Sequence, residues 1–140
     1  MDPKTHRYTT TGKKETKFGV DIERAERFFD AYGRDPAVTL DAIHLHIGSP
    51  IYSPQPYAEA IGKALELIDR LRAKGFQVRA LDVGGGFAAD YEEGRSPHPA
   101  DYALEIVPLL AGRGLEVFLE PGRQIACNAG SQSLRVRRAK

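Results

Sequence analysis

The chain has 140 residues, 41% hydrophobic and 28% charged, with a formal net charge of +1. This is too apolar for a disordered polypeptide and sufficient for one domain with a buried core. The near-neutral balance excludes a globally basic nucleic-acid binder, and the single cysteine, Cys127, excludes an intrachain disulfide and a cysteine-based zinc site.

One lone thiol suits a reducing, cytoplasmic compartment. No run of about 18 apolar residues is available to span a membrane, and Met1–Tyr8 lacks the apolar stretch of a secretory signal. Charge is distributed unevenly. Residues 1–17 hold five basic side chains against two acidic ones, residues 18–120 hold ten against seventeen, and residues 121–140 hold five against none. The expected organisation is an irregular basic arm (1–17), a folded unit (18–130) and a basic tail (131–140). The two basic ends leave weak nucleic-acid contact open, although solvated tails account for them equally well.

Asp21 to Tyr32 reads as a helix, capped by Asp21, with Ile22, Ala25, Phe28 and Phe29 as its apolar face and Gly33 as its stop. Val38 to Ile47 alternates as a strand, with Ile43, Leu45 and Ile47 on one face and His44 and His46 on the other. After a proline-rich loop, Tyr57 to Lys74 repeats apolar residues at helical spacing and ends at Gly75. Phe76 to Val83 is a second strand that runs into Gly84-Gly85-Gly86. An irregular excursion over 87–98 precedes a helix from Pro99 to Ala111, with Ala103, Ile106, Val107 and Leu110 as its expected buried face. Leu115 to Leu119 is a third strand, ending in Glu120-Pro121-Gly122-Arg123, and Ile125 to Asn128 suggests one more short element.

Strands that alternate with helices in this way require long crossovers, and hence parallel pairing. Polar and glycine-rich groups follow each strand, at the carboxyl edge where parallel α/β folds carry their sites. A complete barrel needs eight strands and about 250 residues. The expected fold is therefore a partial, half β/α barrel of the TIM type.

Three groups at that edge could do chemistry. Gly84, Gly85 and Gly86 let backbone N–H groups approach an anion, naturally a phosphate, though a flexible turn has the same composition. Arg123 could grip phosphate oxygens while Glu120 pairs with a cation, or the two could form a surface ion pair. His44 and His46 point the same way and could bind a metal with Asp82 or Glu120, stack on a planar ring, or sit hydrogen-bonded inside a barrel. Asp82 fits a buried hydrogen-bonding acid, Cys127 a small core residue, and His98 an exposed loop position.

Together, His44-Leu45-His46-Ile47-Gly48-Ser49, Leu81-Asp82-Val83-Gly84-Gly85-Gly86-Phe87, Glu120-Pro121-Gly122-Arg123 and Asn128-Ala129-Gly130 resemble the diaminopimelate decarboxylase family. Thr16-Lys17-Phe18-Gly19-Val20 is similar to a further family segment, and the likeness runs from about His6 to Gly130. The resemblance implies a pyridoxal-phosphate enzyme of the alanine-racemase-like class. His46 would stack on the cofactor ring, and Ser49 with the Gly84–Gly86 backbone would hold its phosphate. Glu120 would pair with the ring nitrogen, and Gly122 and Arg123 would add contacts near the phosphate.

The family's Schiff-base lysine has no match among Lys4, Lys13, Lys14, Lys17, Lys63, Lys74 and Lys140, and its C-terminal β-domain is absent. The chain is therefore expected to be an internal fragment that binds pyridoxal phosphate non-covalently at best, without decarboxylating meso-diaminopimelate alone. A half-barrel would leave strand edges unpaired, so a homodimer or higher oligomer is expected. Two other functions fit the same residues. One is a phosphate-ester or phosphodiester hydrolase, with RNA as a conceivable substrate, using His44 and His46 as acid and base or as ligands of a divalent metal. The other is a non-catalytic assembly module.

Overall fold

The computed structural model describes residues 19–91, 96–127, 129, 130 and 133. The expected arm (1–17), most of the expected tail (131–140) and Asn128 lie outside the described residues. Along the chain run α1 (Ile22–Tyr32), β1 (Ala42–His44), α2 (Gln55–Ala73), β2 (Ala80–Asp82), α3 (Pro99–Leu110), β3 (Glu116–Phe118) and α4 (Gly122–Ala126). The three strands form one parallel sheet in the order β1-β2-β3. Ile43 stands opposite Leu81, which stands opposite Val117. The sheet is unclosed, as expected of half a barrel.

Each strand is shorter than its sequence pattern suggests. Single hydrogen bonds continue past the paired residues, from Leu45 N to Asp82 O (2.8 Å), Val83 N to Phe118 O (3.0 Å) and Glu120 N to Gly84 O (3.0 Å), without extending the regular strands. The apolar residues before the strands serve packing instead. Phe76 and Val78 are buried and Leu40 is partly so, all within the core cluster. Their alternation reports burial under helices, and the ladder needs a neighbour at every step.

Helix α2 supplies more of the core than any other element. Tyr57, Ala60, Ile61, Ala64, Leu65, Leu67, Ile68 and Leu71 make its buried stripe, against which the inner face of the sheet packs through Leu81, Val83 and Ile47. Helix α1 adds one anchor, since Phe29 is buried edge-on to Phe76 (5.7 Å). Phe28 does not share that face; it is 52% exposed beside Tyr32. Asp21 caps α1 as expected, accepting from Arg24 N at 2.8 Å.

Helix α3 is turned from its expected orientation. Tyr102 and Ile106 are buried, whereas Ala103 and Val107 are exposed and Leu110 only partly covered. The tyrosine decides the rotation. Its ring packs edge-on against Tyr57 and Phe87, and its hydroxyl donates to Ile51 O (2.7 Å) while accepting from Ala88 N. A buried aromatic with a satisfied polar tip outweighs an aliphatic valine on that face. On the far side of β3, Phe118, Leu119 and Ile125 are exposed.

The amino edge of the sheet is tied by charge. Glu26 on α1 pairs with Arg70 (3.0 Å) and Lys74 (2.9 Å), and Lys74 also reaches Asp30 (2.8 Å). Arg72 donates to Val78 O and Arg113 O. The Lys74 ammonium, and after it the Arg70 guanidinium, hold the Glu26 carboxyl below its ordinary value of 4.5. A lowered carboxyl stabilises the fold above its unfolded value and loses that effect as pH falls through its folded one. Thermal melts across the acid range should show a small advantage of the native chain over Glu26→Gln above pH 4.5. That advantage should vanish at lower pH; a difference that persists there would rule out the pairing as its source.

Candidate functional site

The period of two along a strand sorts the site from the core. Ile43 and Leu45 lean into the core cluster, and His44 and His46 are exposed on the opposite face. In register, His44 aligns with Asp82 and Asp82 with Phe118, so these three share that face, and Glu120, two residues on, joins them. All the polar groups then lie where the strands end.

The three glycines are dictated by backbone crowding. A Cβ at Gly84 would lie 2.0 Å from Leu45 O, one at Gly85 2.5 Å from Glu120 O, and one at Gly86 1.9 Å from Gly48 O. The continuation of β2 is thus wedged between those of β1 and β3, bonded through Glu120 N to Gly84 O (3.0 Å) and Ile51 N to Gly86 O (2.9 Å). The composition reads as a simple anion cradle, but the missing side chains first make room for neighbouring carbonyls. The cradle survives as a consequence. Gly85 and Gly86 are buried, and their N–H groups donate to no acceptor among the described residues.

Below the glycines, the Tyr57 hydroxyl donates to Gly85 O (2.9 Å), and its ring stacks on Phe87 with centroids 4.7 Å apart. Burial pushes that hydroxyl well above its ordinary pKa of 10, so it remains a donor. Sequence reading assigned Tyr57 only to a helix start. Nothing in its spacing reveals that its tip supports the loop.

Two groups of side chains flank the glycines. In the first, His44 Nε2 lies 3.2 Å from Glu120 Oε2 and 4.0 Å from Asp82 Oδ2. The other Asp82 oxygen accepts from Gly84 N at 2.9 Å, so Asp82 orders the turn as well as facing the histidine. His46 does not belong to this cluster, and the expected convergence of both histidines on one metal is not seen among the described residues. The His46 ring lies by Gly85, its Cε1 3.6 Å from where a Cβ would be.

In the second group, Arg123 Nε donates to Ser49 Oγ (2.9 Å) and Arg123 Nη1 donates to the Tyr91 hydroxyl. The guanidinium lies 5.8 Å from the Tyr91 ring centre. Tyr91 sits in the irregular excursion, where no pattern marks it. Gly122 opens α4, its N–H donating to Glu120 O (2.8 Å). This helical turn takes the place of the short element expected from Ile125. Cys127 is no core residue: it is half-buried at the end of α4, and its hydrogen bond with Tyr91 is the main cause raising that phenol's pKa. His98 is the exposed N-cap of α3.

The donor set suits a phosphate, with two open amides, a serine hydroxyl and a guanidinium. The carboxylate of Glu120, in contact with His44, suits a protonated ring nitrogen. This chemistry fits a phosphorylated pyridine. No lysine joins it among the described residues. Lys74 is engaged with Glu26 and Asp30, and Lys63 is exposed on α2.

Residues 1–127 match the family described as pyridoxal-dependent decarboxylase, pyridoxal binding domain. The chain is 41% identical over 131 residues to a diaminopimelate decarboxylase of Aquifex aeolicus, covering 93% of this chain and 31% of the relative. It is 40% identical over 131 residues to that of Vibrio cholerae, with the same coverage. The Helicobacter pylori diaminopimelate decarboxylase, crystallised with L-lysine, superposes with a TM-score of 0.82 at 38% identity, over 87% of this chain and 31% of that one. A lysine/ornithine decarboxylase of Vibrio vulnificus, complexed with putrescine, gives 0.68 at 26% identity, over 79% and 31%. The chain thus spans about a third of the length of the curated relatives it matches.

Proposed function

Because the chain belongs to the pyridoxal-dependent decarboxylase family, in its pyridoxal binding domain, we propose that its strand edge holds the cofactor of a diaminopimelate decarboxylase. The observation that carries this is the pairing of Arg123 with Ser49 beside the open amides of Gly85 and Gly86. When bound, pyridoxal phosphate supplies the electron sink for the pair left on carbon as CO₂ departs from an amino acid.

Each residue has a distinct task in this reading. Arg123, Ser49 and the backbone N–H groups of Gly85 and Gly86 bind the phosphate, Gly84 turns the chain toward it through its bond to Asp82, and Tyr91 keeps the guanidinium in place. Gly122 lets the chain turn from Glu120 to Arg123 next to it. His46 covers one face of the ring. Glu120 keeps a proton on the ring nitrogen, and His44, 3.2 Å from that carboxylate, orients it. Phosphoester hydrolysis through His44 and His46 draws no support from relatives that are decarboxylases, nor does a purely structural module.

This polypeptide should bind pyridoxal phosphate saturably in an absorbance titration, with inorganic phosphate competing. Borohydride should trap no single lysine adduct, and meso-diaminopimelate should yield no CO₂ above the protein-free rate. An absence of saturable binding would refute the cofactor reading; CO₂ release would refute the expectation that binding here is non-covalent.

A further inference from the structure

We propose that Tyr57 is a positioning residue for phosphate binding: its hydroxyl sets the plane of the Gly85–Gly86 peptide so that the Gly86 N–H faces the anion. The proposal rests on the cofactor reading above. In a trans peptide the carbonyl and the following N–H point in opposite directions, so whatever holds one aims the other. Both peptides of the glycine run are trans. The first, Gly84–Gly85, is held by the backbone, because Glu120 N donates to Gly84 O at 3.0 Å. The second, Gly85–Gly86, has its carbonyl held by a side chain, the Tyr57 hydroxyl at 2.9 Å. The N–H groups of Gly85 and Gly86, which meet no acceptor among the described residues, are the opposite ends of these same two peptides. Each open amide is thus the reverse side of a pinned carbonyl.

A peptide between two glycines turns more easily than one flanked by side chains, so its orientation must come from its surroundings. Tyr57 is suited to supply it. The ring is buried, stacked on Phe87 at 4.7 Å and edge-on to Tyr102 at 5.7 Å, which restricts where its hydroxyl can point. It stands in the buried stripe of α2, so the clamp is anchored in the core. Burial keeps the phenol protonated, and it therefore donates. A hydrogen bond donated to the carbonyl also polarises the peptide and strengthens its N–H as a donor. Tyr102 provides the contrast. It is buried as well, but its hydroxyl donates to Ile51 O (2.7 Å) and bonds to neither glycine peptide.

The test compares Tyr57→Phe with Tyr102→Phe in the full chain, titrated with pyridoxal phosphate and with inorganic phosphate. Each variant loses one buried hydroxyl and keeps its ring, so both should melt below the native chain. Only Tyr57→Phe should weaken both ligands, by roughly three- to tenfold. Proton–nitrogen correlation spectra read the peptide plane directly. Inorganic phosphate should move the Gly85 and Gly86 amide signals of the native chain and of Tyr102→Phe. In Tyr57→Phe the Gly86 response should shrink, while that of Gly85, whose peptide is held by Glu120 N, should persist and report a folded site. Native affinity in Tyr57→Phe, an equal loss in Tyr102→Phe, or an undiminished Gly86 response would each overturn the proposal. Any of these with a native chain that binds both ligands removes Tyr57 alone. A native chain that binds neither ligand overturns the cofactor reading, and the role of Tyr57 with it.

Discussion

Gly86→Ala should be among the most damaging single-methyl changes at the described glycines, costing about 2–5 kcal/mol from overpacking and an unfavourable dihedral together. Its φ is +95°, where an L side chain meets the backbone, and its added Cβ would stand 1.9 Å from Gly48 O. The obstacle is a backbone carbonyl, which cannot swing aside as a side-chain tip would. Moving it would displace Ser49, and with it the partner of Arg123. Gly112→Ala is the matched control: its φ is +73°, but nothing lies within 4 Å of the added methyl. Strain alone should cost it about 1–2 kcal/mol. Urea denaturation compares the two, and a Gly86→Ala midpoint no lower than that of Gly112→Ala would show the wedge to be soft.

Arg123→Ala should weaken binding of pyridoxal phosphate, and of inorganic phosphate as competitor, by roughly 10- to 100-fold, the range expected for a charge-assisted hydrogen bond. The guanidinium already spends Nε on Ser49 and Nη1 on Tyr91, which fixes its plane and directs its remaining donors. Lysine keeps the charge but cannot hold both partners and an anion in one plane. Arg123→Lys should therefore recover only a small part of the loss. Equal phosphate affinity in the native chain and Arg123→Ala, measured by competition, would remove Arg123 from the binding site.

The sequence disclosed the parallel alternation and the edge on which the chemistry gathers, because strand period, helix period and terminal glycines are local signals. Asp21 as a cap and the α2 stripe from Tyr57 to Leu71 are of this kind. What it hid depends on contacts between distant residues. Phe28 and Phe29 are equally apolar, yet only Phe29 faces Phe76. Val107 was as plausible inside α3 as Ile106 until Tyr102 found Ile51 O and turned the helix. The same limit applied to the site. The motifs picked out His44, Ser49, Glu120 and Arg123, but not that Ser49 holds Arg123 or that His44, not His46, meets the two carboxylates. Tyr91 carried no signal, since a tyrosine among acids and glycines has no period to read.

The ion pairs of Glu26, Arg70 and Lys74, the Asp69–Arg113 pair, and the carbonyls gathered by Arg72 all lie where strands begin, at the end away from the histidines. The molecule therefore places these exposed ion pairs at the end opposite the histidines, while buried contacts such as Tyr57 with Gly85 O hold the histidine end. Adaptation to heat or cold can proceed by exchanging charges at one end without disturbing recognition at the other. Specificity can likewise drift at the histidine end while the helices stay locked. A lineage carrying this segment has two nearly independent dials, and substitutions tolerated at one report little about the constraint on the other.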